Sequence, residues 1–357
     1  MPTRKKGQSK HDHKNSIRVR IPLEEFDLLQ EYRRIKDEAI KEGLDPTTVK
    51  HGWVKSDKTS LFVHNPFFKG EDERKLDLVK KDILEWVKGS SKPFKAPKKR
   101  RYKDGKLLIV NPADVHIGKL CTAFESGSDY NSEIAVQRVL SGVEGILENA
   151  KGWAIEEIAL IGGNDILHID TPKRTTTSGT SQDTDGMWYE NFIKAAKLYQ
   201  ALVERLAEVA PVRFIYNPSN HDYTNGFFLA QLIEAYFRND ERVSFDVSIS
   251  HRKYYKFGKN LIGTTHGDGA KWQDLGSLMA HESGKNWSET KHRYFYCHHV
   301  HHKINKDLIG CTVESVRSPS GTDSWHHRQG YTGVPKAIEG FIHDKEHGQI
   351  ARLTHIF

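Results

Sequence analysis

Five short clusters of histidine, aspartate and asparagine punctuate the last two-thirds of this 357-residue chain. They are Asp114 with His116, Asp165 behind Gly162-Gly163-Asn164, the tripeptide Asn220-His221-Asp222, His266 before Gly267, and His299 with His301 inside His298-His299-Val300-His301-His302. Imidazole nitrogen, carboxylate oxygen and amide oxygen are donors for divalent cations, and a donor set without thiolate suits Mn²⁺, Fe or Zn²⁺. Any one cluster reads equally well as a solvated loop or a capped strand end. Together they pose an electrostatic problem, because Asp114, Asp165 and Asp222 buried near one another repel and lose hydration at a cost of several kcal/mol. A pair of cations removes that cost. Two such ions about 4 Å apart share a hydroxide at neutral pH and neutralise phosphoryl oxygens during in-line attack. The leaving oxygen then needs a proton, which an imidazole such as His221 can carry, and a neighbouring carboxylate such as Asp222 can fix that ring's tautomer.

Each cluster follows a segment with strand character. Leu107 to Val110 is an apolar run ahead of Asp114, and Ile158 to Ile161 precedes the two glycines and Asp165. Val212 to Asn217 is β-branched and aromatic and stops at Pro218, just before Asn220. Between these runs lie helical patterns: Val136, Val139, Leu140, Val143 and Ile146; Trp188, Phe192, Ala195, Tyr199, Leu202 and Leu206; and Leu229, Leu232, Ile233 and Tyr236. Beyond residue 243 the pattern turns β-rich, with strands expected at 243–249, 253–257, 260–265, 294–298, 308–316, 338–343 and 350–356, and one helix near 270–283. The grammar predicts an α/β fold: a core of two packed sheets, a β-sandwich flanked by helices.

The positive charge is placed unevenly. Residues 1–106 hold 28 Lys+Arg against 17 Asp+Glu, while the remainder holds 26 against 30. The first 20 residues form a basic arm of disordered composition. A small, basic, mainly helical region is expected over 21–91. Its first helix stops at Gly43, a second starts at Asp45-Pro46 and runs through Val49 and Trp53, and a third carries Leu76, Val79, Ile83 and Trp86. The first two helices have the spacing of a helix-turn-helix reader, a pattern common in helical hairpins that read nothing. A basic linker, 92–106, leads to a catalytic domain at 107–357. This asymmetry fits a nucleic acid, DNA above all, as partner and substrate, and residues 1–106 equally fit a protein partner or a solubilising tail. No apolar run approaches the roughly 18 to 20 residues of a membrane span, and three cysteines without metal spacing suit a cytoplasmic protein.

The ordered set Asp-x-His, Gly-Gly-Asn-Asp, Asn-His-Asp, His-Gly and His-x-His resembles the calcineurin-like metallophosphoesterases over residues 107–302. The resemblance implies a two-metal centre at the edge of a β-sandwich, with manganese the first expectation. Asp114, His116 and His301 would hold one ion, Asn220, His266 and His299 the other, and Asp165 would bridge them. His221 would be the proton donor and Asp222 its orienting partner. Three positions depart from the family pattern: Asn164 precedes Asp165, Ser219 stands where glycine is usual, and His298 stands where glycine precedes the first histidine of the last motif. The last departure leaves His298 and His299 as competing ligands. His168, three residues after Asp165, resembles the branch that contains DNA double-strand-break repair exonucleases.

Beyond the metal set, His168, Lys173 and Arg174 are the candidate substrate contacts, the latter two on a long loop over 171–186. Asp170 reads as a surface turn residue. Ser318 to His327 reads as a structural turn or a surface on which a base could stack. A nuclease or other phosphodiesterase is the leading expectation, beside a small-molecule phosphatase or nucleotide hydrolase and a non-catalytic nucleic-acid-binding module.

Overall fold

In a computed structural model the chain divides into two compact units, residues 1–80 and 81–357. The structure describes residues 23–55, 60–65 and 104–357, with single positions between 66 and 103. The basic arm, nearly all of the expected third helix and most of the basic linker lie outside the described residues.

The first unit corrects the helix-turn-helix expectation. Helix α1 (Leu23–Lys41) forms as the spacing predicts, with Ile35 and Ala39 buried, and Gly43 follows in the left-handed region at φ 72°. Asp45 then caps only a single 3₁₀ turn, Pro46–Thr48, accepting from the Thr47 N–H at 2.9 Å. The chain continues as an antiparallel hairpin of β1 (His51–Lys55) and β2 (Ser60–His64), pairing Trp53 with Phe62 and Val54 with Leu61. Val54, Phe62 and Val63 favour extended backbone, and that preference overrides the i, i+4 spacing of Val49 and Trp53. Among the described residues, 23–65 thus hold one helix, a 3₁₀ turn and a hairpin where two helices were expected, and Leu78, Lys81 and Glu85 further on are helical.

The second unit is a mixed α/β structure of two sheets flanked by helices. The larger sheet is built from β3 (Lys106–Asn111), β4 (Ile155–Gly163), β5 (Val212–Asn217) and β6 (Val243–Asp246), all parallel, extended by β12 (Ala337–Asp344) and β13 (Gly348–Ile356), in the order β13-β12-β3-β4-β5-β6. The smaller sheet holds β7 (Arg252–Phe257), β8 (Asn260–Thr265), β9 (His292–Cys297), β10 (Ile304–Leu308) and β11 (Cys311–Ser315) in the order β10-β11-β9-β8-β7. The strand expected over 308–316 forms as β11 and begins later, at Cys311, because Ile309-Gly310, with Gly310 at φ 74°, turns the chain back from β10.

Alternation along each strand sorts residues between layers. Leu107, Ile109, Ala159, Ile161, Ile215 and Phe341 point between the sheets and meet Ile262 and Tyr296 of the smaller one. Leu108, Val110, Ile158, Leu160, Phe214 and Ile338 point the other way. There they pack on Val139, Val143 and Ile146 of one helix (Ser132–Asn149), Ala195, Tyr199 and Leu202 of another (Trp188–Ala207), and Leu229 and Ile233 of a third (Tyr223–Phe237). On the far side of the smaller sheet, Leu261, Phe295 and Val313 meet Leu275 and Met279 of a helix at Leu275–Glu282, followed by another at Gly284–Glu289. Burial on both faces explains why β3 and β4 read as continuous apolar runs. None of the described helices is long and apolar enough to cross a membrane.

Gly163 closes β4 at φ 74°, where a Cβ would lie 2.1 Å from the carbonyl oxygen of Asn217 on the adjoining strand. Gly163→Ala is therefore expected to destabilise the protein by more than about 2 kcal/mol, read as a lower urea midpoint. An unchanged midpoint would show that the edge between β4 and β5 is not held this tightly.

Candidate metal centre

Parallel strands present their carboxyl ends together, and ligands in open α/β sheets collect there. Here the ends of β3, β4 and β5 meet those of β8 and β9. Past the strands the first two chains keep pairing: Asp114 N–H donates to the Asn164 carbonyl at 2.8 Å, His116 N–H to Asp165 at 2.9 Å and Ile117 N–H to Ile166 at 2.8 Å. That pairing occurs with unusual backbone. Asp114, His116, Asn164, Asp165, His299 and His301 all have φ between 51° and 71°, and only one other described non-glycine residue, Arg174, has positive φ. Each left-handed residue costs on the order of 1 kcal/mol. Strain concentrated this way marks a constellation held by its surroundings.

The side chains gather in two groups. In the first, the Asp114 carboxylate lies 3.5 Å from His301 Nε2, and His301 Nε2 lies 3.3 Å from His116 Nε2. In the second, His266 Nε2 is 2.9 Å from Asn220 Oδ1, 3.2 Å from Asp165 Oδ2 and 3.2 Å from His299 Nδ1. The same Asp165 Oδ2 lies 3.9 Å from His116 Nε2, so one carboxylate oxygen stands between the groups. Its other oxygen accepts the His221 N–H at 3.0 Å, which fixes the carboxylate's direction. The His299 N–H points at both Asp114 oxygens, at 3.1 Å each.

The donor set fits cations. One ring proton on His266 cannot satisfy an amide oxygen, a carboxylate oxygen and a second imidazole nitrogen at once, whereas a divalent ion among them accepts electron pairs from all. Potential ligand atoms lie within 4.8 Å of one another in Asp114, His116 and His301, and likewise in Asp165, His266 and His299. Burial pushes the Asp114 carboxyl up, but His301 and His266 beside it more than compensate, so it lies below the usual carboxylate range. Asp165 behaves alike: burial is overcome by His266 and His221, and its carboxyl falls far below the usual range. Burial holds His116 and His301 below the ordinary imidazole value, which favours the neutral ring with one nitrogen unprotonated. Burial also opposes charge on His266, yet Asp165 raises it to about 9. Without a metal, a proton there takes the position a cation would fill.

The competing histidines separate cleanly. His298 is wholly buried, with Nδ1 donating to the Thr265 carbonyl at 2.9 Å and Nε2 2.9 Å from the Asn111 amide, so neither nitrogen faces the centre. His299 instead places its Nδ1 toward the second group, 3.2 Å from His266 Nε2. His221 lines the cleft over the first group, its ring 4.6 Å from that of His116. Its Nδ1 donates to the His168 carbonyl at 2.9 Å, which leaves Nε2 as the other ring nitrogen.

Asp222 does not orient His221. Adjacent residues turn their side chains apart, and the Asp222 carboxylate lies buried, accepting from Ser219 Oγ at 2.6 Å and from the Leu167 N–H at 2.9 Å. Burial, with Asp165 nearby, pushes it up to about 7. Ser219 Oγ in turn accepts the Asp165 N–H at 2.7 Å, so Asp222 steadies the Asp165 loop.

His168 is buried with Nδ1 3.3 Å from His116 Nδ1, and His116, His168 and His221 form a third group of close nitrogens. Asp170, expected in a surface turn, is buried and accepts from the N–H groups of Thr224 and Asn225 at the start of the third helix. Lys173 and Arg174 are exposed and are not among the residues lining the cleft. The loop contributes Thr176, Ser178 and Ser181 instead. Lys119 and Asp323 also line the cleft and were not singled out from the sequence. A buried lysine three residues after His116 carries no spacing signal, and Asp323 was visible only as part of a polar-aromatic run.

No protein-family model and no curated protein matches the sequence. Among solved structures, the chain is similar to Vps29 from Chaetomium thermophilum at 10% identity, covering 70% of this chain and 98% of that one, with a TM-score of 0.32. It is also similar to a conserved uncharacterized protein from Streptococcus pneumoniae described as a predicted phosphoesterase, at 12% identity over 71% and 98% of the two chains, with a TM-score of 0.26. A third is Vps29 from Entamoeba histolytica complexed with zinc, at 11% identity over 70% and 98%, with a TM-score of 0.27.

Because Asp165 faces both groups, Asp165→Ala is expected to weaken divalent-ion binding at both positions. His299→Ala should remove one ion, and His298→Ala should lower stability while leaving ion stoichiometry intact. Calorimetric titration with Mn²⁺ and metal counting on the purified variants would check this. Full metal content in Asp165→Ala would rule out the shared position.

Proposed function

We propose that this chain is a metal-dependent phosphoesterase acting on phosphodiesters, with nucleic acid, DNA first, as its substrate. The observation that carries the reading is the Asp165 carboxylate oxygen set between two groups of nitrogen and oxygen donors at the floor of a cleft of about 500 Å³. Asp114, His116 and His301 would hold one cation, Asn220, His266 and His299 the other. Bound there, two divalent ions lower the pKa of water toward neutrality and neutralise phosphoryl oxygens.

The protein's own groups do the rest. Asp165, fixed by the His221 N–H, sets the spacing between the two groups. His221, its Nδ1–H committed to the His168 carbonyl, has Nε2 for a proton destined for the leaving oxygen. The buried ligand shell excludes water from all sides except the cleft. A nucleic-acid substrate is favoured by the excess positive charge of residues 1–106. Cys121, Cys297 and Cys311 are free and buried, which suits a cytoplasmic setting.

The test is hydrolysis in Mn²⁺, with an EDTA control, of labelled single- and double-stranded DNA, RNA, nitrophenyl phosphate and bis-nitrophenyl phosphate. Cleavage of DNA and the bis-ester is expected, abolished by EDTA. Hydrolysis confined to the monoester would replace this reading with a phosphatase. His221→Ala should retain its metal and lose about 100-fold or more in turnover on DNA, with a smaller loss on the bis-ester, whose nitrophenolate leaves unprotonated. Equal losses on the two substrates would reject the proton-donor role.

A further inference from the structure

One wall of the cleft carries large aromatic side chains that the metal chemistry does not use. It is a short helix, Ser324–Arg328, followed by a turn to Tyr331. Trp325 is 58% exposed and Tyr331 56% exposed, their rings 5.8 Å apart, and both line the cleft beside His116, Asp165 and Asn220. Indole and phenol rings that face solvent across a cleft are suited to stacking on a planar ligand.

This wall is anchored to the metal centre. Trp325 meets His326 edge-on at 5.0 Å, and His326 stacks on the ligand His301 at 5.1 Å and 15° between planes. His326 is held by Asp323, whose carboxylate accepts both its backbone N–H at 2.8 Å and its Nδ1–H at 2.7 Å. The second Asp323 oxygen pairs at 2.8 Å with Lys119, itself 1% exposed. Burial alone would raise the Asp323 carboxyl, but His326 and Lys119 hold it far below the usual range, so the carboxylate stays charged. The ion pair of buried Lys119 with half-buried Asp323 thus holds His326, which stands between Trp325 and His301.

We propose that Trp325 and Tyr331 form a stacking platform for a nucleobase whose adjoining phosphodiester lies at the metal centre. The proposal rests on the phosphodiesterase reading above and narrows it: the substrate is a polynucleotide with an unpaired base at the cleaved position. Phosphate contacts alone cannot use an exposed indole, and a base inside a duplex has no free face to offer. A single strand or a frayed end presents base and phosphate together.

The experiment compares a fluorescein-labelled single-stranded oligothymidylate with an oligonucleotide of equal length whose sugars carry no base. Binding is read by anisotropy with Ca²⁺ in place of Mn²⁺, and KM is read with Mn²⁺. The wild-type protein is expected to favour the base-bearing strand about tenfold in both measurements. Trp325→Ala should bring that ratio to about one, with the loss falling on KM for the base-bearing strand, and Trp325→Phe should keep most of the preference. Trp325 is exposed, so the variant folds, and a melting curve checks it. A wild-type ratio near one, or an unchanged ratio in Trp325→Ala, overturns the platform. If both strands are cleaved equally, the phosphodiesterase reading survives while the platform falls; if neither is cleaved or bound, both fall.

Discussion

The second unit is organised around a single carboxylate. Asp165 is buried, strained in backbone and anionic, and it faces imidazoles from both sheets. An isolated carboxylate in such a place would take up a proton. It does not, because His266 and His221, whose backbone N–H it accepts, stand beside it. The same surroundings that keep it charged set one of its oxygens between two groups of donors. Electrostatics, and not packing, set the geometry of the strand ends.

Packing nevertheless makes that geometry available. Two sheets lie face to face through Ile109, Ile161, Ile215, Ile262 and Tyr296, which brings the ends of β3, β4 and β5 opposite those of β8 and β9. Without the sandwich, Asp114 and His301 would be far apart. Support below the ligands is polar and specific. Ser219 and Asp222 hold the Asp165 and Leu167 N–H groups, and His298, with both nitrogens engaged, ties the end of β9 to β8 and β3. Asp222 and His298 are thus supporting residues set directly beside candidate ligands. Their identities resemble those of ligands or proton carriers because the same side-chain chemistry serves both purposes.

The aromatic wall extends the same logic outward. His301 is at once a candidate ligand and the surface on which His326 stacks, so the orientation of Trp325 depends on the metal centre beneath it. Substrate recognition and cation binding would then share one rigid element.

Much of this was legible in the residue order. Apolar runs at 107–110, 158–161 and 212–217, each ending in a polar cluster, gave the parallel strands and their active ends, because burial on both faces imposes a signature on a strand. The ordered Asp, His and Asn clusters pointed to the donors themselves, since donor chemistry is a property of residue type. The sequence could not say where each side chain points. The choice of His299 over His298, the turn of Asp222 away from His221, the burial of Asp170 at a helix start and the recession of Lys119 onto Asp323 all depend on backbone dihedrals and on partners distant in the chain. The hairpin at 51–64 escaped for the opposite reason: its pairing is local, but the i, i+4 spacing of Val49 and Trp53 mimicked a helix until Phe62 and Leu61 supplied the partners. Residue type determined the chemistry available to this protein, and tertiary contact decided which nitrogen or oxygen is free to perform it.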